Sequence, residues 1–161
     1  MSGKRLILSL VAMAALLAAV PASATTSTEQ AEYREKVEPI CKANTEANEK
    51  ILKGVSKLVR TGKLGPASKK VFAAARALKR TRTELLAIPK PPEDAARLTK
   101  WLGYVKDEVT LFETLGRKLQ AGEKTQAQKM VLRLKSTADR ANNTVLSFEF
   151  RYCRFQPSKF I

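Results

Sequence analysis

Histidine is absent from all 161 residues of the chain, and cysteine occurs only twice. The missing imidazole removes the side chain that most often serves as general base and metal ligand near neutral pH. No Cys–His or Ser–His nucleophile can be assembled, no Glu-x-x-His pair exists for a di-iron bundle, and a haem would find no imidazole. Two cysteines fall short of the four ligands that a structural zinc site takes. No G-x-G-x-x-G, P-loop, H-E-x-x-H or Cys-x-x-Cys stretch occurs. Acidic residues are few as well, 15 against 30 Lys and Arg, and are read as mostly outward-facing, so a paired acid/base site is hard to place. The expectation is a protein that is not an enzyme and carries no cofactor or metal.

Long apolar runs are missing too, with one exception at the N-terminus. Lys4 and Arg5 precede the apolar and small residues Leu6 to Val20, and Pro21-Ala22-Ser23-Ala24 follows as a small-residue A-x-A site. That order is the pattern of a secretory signal peptide over residues 1–24, cleaved near Ala24. The run is too short to span a bilayer comfortably, and no later segment is apolar enough to try. The chain is therefore read as secreted or extracytoplasmic, with a single domain over 25–161. Removing Lys4 and Arg5 leaves 28 basic against 15 acidic residues, a net charge of +13. In an oxidising compartment two cysteines tend to pair, so Cys41 and Cys153 are expected to form one disulfide.

Four segments carry helical periodicity. The first spans about Ser27 to Thr61, with Tyr33, Val37, Ile40, Asn44, Ala47, Ile51, Val55 and Leu58 at spacings of three and four. Ser27 with Gln30 reads as its capping box, and Pro39 should kink it or mark the start of its packed part. The second runs from Pro66 to Ile88 and presents Val71, Ala74, Leu78, Leu85 and Ile88. It stops at the prolines of PKPP, residues 89–92, after which Pro92, Glu93 and Asp94 suit a new helix N-terminus. The third shows Leu98, Leu102, Val105, Val109, Phe112, Gly116 and Leu119 and ends at Gly122. The fourth, with Thr125 and Gln128 as a capping box, repeats the pattern through Ala127, Val131, Leu134, Ala138, Ala141, Val145 and Phe148.

Heptad-like seams with short connections describe an all-α, up-down-up-down four-helix bundle. In that topology the last helix returns beside the first, which carries Cys153 toward Cys41, so the bundle would be stapled by one disulfide. The same counting sets Asn48 opposite Asn142. Together with Asn44 these are read either as a register-setting polar contact or as a small polar site inside the bundle. Asn142-Asn143-Thr144 matches a glycosylation sequon by chance, within a helical seam.

Two surface features stand out. Between Lys50 and Thr83 lie eleven basic residues and no acidic one. Lys50, Lys53, Lys57 and Arg60 follow helical spacing on the outer face of the first helix, and Lys69, Arg76 and Arg80 do so on the second. These seven are the candidate polyanion-binding residues, alongside the reading of a merely solvated face. The other feature is the tail, SFEFRYCRFQPSKFI, in which Phe148, Phe150, Tyr152, Phe155 and Phe160 alternate with Arg151, Arg154 and Lys159. It is read mainly as cover for the open end of the bundle. The expected partners are anionic cell-envelope polymers or lipid head groups; nucleic acid is not expected. A chaperone-like or inhibitor protein that binds other proteins is the alternative.

The Pro39–Asn44 element PICKAN, the LLAIPKPP break at 85–92, the Trp101-Leu102 pair, the Ala121-Gly122 turn and the terminal Ala141-Asn142…Cys153 resemble small exported actinobacterial helical-bundle proteins of unknown function. The resemblance spans most of the chain after the leader and implies fold, not chemistry. It places a glycine between the last helix and the last cysteine, where this chain has Glu149.

Overall fold

The computed structural model describes residues 22–156. Five helices form there: α1 (Ala22–Leu52), α2 (Val55–Arg60), α3 (Leu64–Leu86), α4 (Ala95–Gln120) and α5 (Lys124–Thr144). The four long ones make the expected all-α bundle, and there is no strand among the described residues. The leader expected over 1–24, apart from Ala22–Ala24 in the first turn of α1, lies outside the described residues. So do Lys159 and Phe160.

The first helix does not run through to Thr61. It breaks at Lys53-Gly54, where Gly54 has φ 82°, a left-handed conformation that costs glycine nothing and any other residue a Cβ clash. The carbonyls orphaned at the end of α1 find a donor in another helix: Lys70 Nζ of α3 donates to Ile51 O at 2.9 Å. The short α2 then lies against α3. Helix α3 opens at Leu64, two residues earlier than Pro66, which sits harmlessly in its first turn.

Neither capping box forms. Helix α1 is already under way before Ser27, and Gln30 Nε2 instead donates to Asp94 Oδ2 at 2.7 Å, tying α1 to the start of α4. Helix α5 begins at Lys124, so Thr125 lies inside it. Pro39 sits exposed within a continuous α1, and Tyr33 and Val37 before it are buried, so the packed part begins earlier than Pro39.

Helix α4 is the centre of the bundle: it packs against both α3 and α5, and α1 packs on α3. Its predicted seam, Leu98 through Leu119, is buried throughout. Close approach to α3 is permitted by Gly116, whose carbonyl accepts from buried Ser68 Oγ at 2.8 Å. A Cβ there would lie 2.8 Å from the Phe72 ring. In α1 the buried stripe drifts by about one residue: Cys41, Asn48 and Leu52 are buried, whereas Ile40, Asn44 and Ile51 are half-buried. A helix that does not supercoil turns past a strict heptad seam in this way.

Helices α1 and α5 share no extensive face. The expected helix-to-helix contact is replaced by the tail. After α5 a 3-10 turn (Leu146–Phe148) leads to Glu149, whose φ of 53° turns the chain back. Phe148 and Phe150 are buried, stack on each other, and pack with Tyr33 and Trp101. Burial of Tyr33 pushes its hydroxyl up to about 12. Cys153 is bonded to Cys41, and both Glu38 carboxylate oxygens accept backbone N–H groups of the tail: Oε1 from Arg151 at 2.7 Å, Oε2 from Tyr152 at 3.0 Å. The tail therefore fills the side between α1 and α5 as well as covering an end.

Candidate anion-binding face and the open side of the bundle

All seven candidate cations are exposed: Lys50 on α1, Lys53 in the turn, Lys57 and Arg60 on α2, and Lys69, Arg76 and Arg80 on α3. The single stripe expected on one helix is divided at Gly54, but α2 rests on α3, so the two sets stay on neighbouring elements. Among the described residues the ion pairs are Arg34–Glu149, Lys42–Glu46, Arg97–Asp94 and Lys118–Glu123, and none involves these seven. Glu49 is the carboxylate that shares the shallow surface of Lys53, Lys57 and Arg60. Unpaired like charges on adjacent helices sum to a positive field that attracts polyanions and is screened by salt.

Two other cations of the stretch are structural. Lys70 caps α1, and Arg82 Nε donates to Leu102 O at 3.0 Å, which joins α3 to α4.

The absence of a wide α1–α5 contact has a second consequence. The tail occupies that side from Tyr33 to about Asn48; beyond it the side is open. There lies a groove of about 490 Å³ lined by Val55, Val59 and Arg60 of α2, Val71 of α3, Leu115 and Leu119 of α4, and Lys124, Ala127, Val131 and Leu132 of α5. Leu132 is 68% exposed beside it. No carboxylate lines this groove. Sequence reasoning missed it because the groove depends on the redirection of α2.

Inside the bundle, Asn48 and Asn142 are both buried but do not meet. Asn48 Nδ2 donates to Asn44 Oδ1 at 3.0 Å, and Asn142 is engaged by the tail. The polar pair across α1 and α5 is thus corrected, because those helices share no extensive face. Asn44 and Asn48 instead face a polar cleft of about 330 Å³ shared with Arg151 and Arg154.

One carboxylate departs from the outward-facing expectation. Glu108 is 1% exposed on α4, its Oε1 accepts no hydrogen bond from the protein, and burial, aided by the neighbouring Asp107 charge, pushes its carboxyl up to about 8. It borders a small cavity of about 40 Å³ beneath the disulfide, with Thr81, Trp101, Asn142 and Tyr152. That volume holds a water or two, not a substrate. Glu108 is the one carboxyl that lines this cavity; Asp107, next to it in sequence, is exposed. Among the described residues no group of three or more Cys, Asp or Glu is placed to hold a metal ion.

The disulfide, and the absence of a helix long and apolar enough to cross a membrane among the described residues, are compatible with an extracytoplasmic location. Comparison with protein-family models, with curated proteins and with solved structures finds no match to this chain.

Proposed function

We propose that this is an exported, non-enzymatic helical bundle that attaches electrostatically to anionic cell-envelope polymers or lipid head groups through the α1–α2–α3 face. The observation that carries the reading is the group of seven exposed cations, Lys50, Lys53, Lys57, Arg60, Lys69, Arg76 and Arg80, without an ion-paired carboxylate among them. The leader pattern and the disulfide support export. Binding of this kind is driven by counterion release, so it falls steeply with salt and shows little stereochemical preference.

The test is a matched pair of charge reversals. Changing Lys53, Lys57, Arg76 and Arg80 to Glu takes the net charge of residues 25–161 from +13 to +5. All four are exposed, so the fold should survive. Reversing Lys106, Lys129, Arg133 and Lys135, also exposed, makes the same net change elsewhere. Retention on dextran sulfate and on anionic vesicles at low salt should drop at least tenfold for the first variant and much less for the second. Equal losses would mean that net charge alone matters, and no retention of the wild type would leave the face merely solvated.

A further inference from the structure

The groove on the open side combines apolar walls with a cationic rim. Val55, Val59, Leu115, Leu119 and Val131 supply the walls, while Arg60 and Lys124 stand at the rim. Arg60 also belongs to the basic face, so the groove opens directly onto it. We propose that this groove takes the hydrocarbon chain of a single-chain anionic lipid, with the acidic head group held between Arg60 and Lys124. The proposal rests on reading the basic face as an anion-binding surface and names a ligand class for one part of it.

Three observations select this occupant. The first is capacity: a solvent-open groove of about 490 Å³ with aliphatic walls is large enough to take an alkyl chain. The second is charge. The lining contains two cations and no carboxylate, so an apolar chain ending in an anion satisfies both parts at once, whereas a neutral chain leaves the rim unused. The third is the fit to other occupants. A second copy of this surface, packed about a two-fold axis, would set the same cations facing an apolar groove that offers them no opposite charge. The exposed Leu132 lies where an entering chain would cover it.

The test titrates octanoate, decanoate and laurate, each below its micelle concentration, into the purified protein by calorimetry. Each added methylene should tighten binding about fourfold until the groove is full. Decanol should bind at least tenfold more weakly than decanoate at low salt, and this gap should close at high salt. Leu132→Asp, at an exposed position, and Val131→Asp should each weaken decanoate at least tenfold while helicity and dextran sulfate retention stay unchanged. Arg60→Ala with Lys124→Ala should abolish the preference for decanoate over decanol. Failure of the wild type to bind decanoate, or an affinity flat with chain length, overturns the proposal. So does a dimer that Leu132→Asp disperses, or binding that appears only after residues 157–161 are removed. Dextran sulfate retention without decanoate binding would sink the groove and leave the basic face standing; loss of both would sink both.

Discussion

Asn142 holds Phe155 by both ends of its amide: Nδ2 donates to the Phe155 carbonyl at 2.8 Å, and Oδ1 accepts the Phe155 N–H at 3.1 Å. The side chain pairs with the backbone as a neighbouring strand would, and so fastens the returning tail to α5. On the opposite side Cys41 and Glu38 fasten the same tail to α1. The tail is thus a wedge with a polar clasp on one flank and a covalent clasp on the other.

Replacing Asn142 with Ala should remove both bonds to the Phe155 backbone, a loss of about 1–3 kcal/mol. Because Cys153 still anchors the tail, the damage should be local. Hydrogen exchange at residues 154–156 should accelerate far more than in α4. Unchanged exchange there would mean the clasp contributes nothing.

Cys41 and Cys153 close a separation of 112 residues, so the bond is worth at most about 5 kcal/mol by constraining the unfolded chain. Thiol titration under denaturing, non-reducing conditions should find no free thiol. Reduction should lower the melting temperature and keep most helical circular dichroism, since the α3–α4–α5 packing does not involve the bond. Two reactive thiols before reduction would refute the staple.

Glu108 gives the protein a stability that declines as pH rises. Its folded pKa of about 8 lies above the ordinary carboxyl value of 4.5, so below pH 4.5 both states are protonated and no penalty exists. Between pH 4.5 and 8 the unfolded chain releases the proton first and the native state loses ground, by no more than about 5 kcal/mol in all. Above that range the penalty is constant. Glu108→Gln should flatten this slope in denaturant unfolding measured from pH 5 to 9 and should raise stability most at the alkaline end. A variant with the wild-type slope would place the titration elsewhere.

Glu149 is the one non-glycine residue with positive φ among the described residues, and a side chain in that region costs about 1–2 kcal/mol. Its ion pair with Arg34 is exposed and contributes little. Glu149→Gly should therefore hold or raise stability by up to about 1 kcal/mol after the entropy of the more flexible unfolded chain is counted. Glu149→Ala, which keeps the Cβ and loses the ion pair, should not. If the two variants behave alike, backbone strain is not the deciding factor at this turn.

Much of the bundle was legible because apolar spacing can be satisfied in only one way. The α4 seam from Leu98 to Leu119 and the α5 seam from Ala127 to Phe148 have nowhere to go but a core, and Val131 alone is left half-buried, beside the groove. Exposure of the seven cations followed from the same pattern, since unpaired Lys and Arg opposite a seam stay in water. Glu108 was legible in hindsight: Trp101, Val105, Glu108, Phe112, Leu115 and Leu119 form a second 4-3-4-3 stripe, the mark of a helix buried on two sides. The break at Gly54 was not, because an isolated glycine inside a helical pattern is as compatible with continuation as with a stop.

Periodicity, the proline break at 89–92 and the cysteine count determined by themselves that this chain makes helices with these faces and one covalent staple, because those are properties of each segment alone. Which helix touches which was decided only in three dimensions. Helix α4 took the centre, α1 and α5 were left apart, and the C-terminal aromatics filled one half of the space between them. That choice depends on the summed fit of many side chains from distant segments, whose individual contacts are weak and whose partners no local pattern names. It separated Asn48 from Asn142, turned Lys70 into a cap of α1 and Arg82 into a tie between α3 and α4, and left the apolar groove beside Arg60 open.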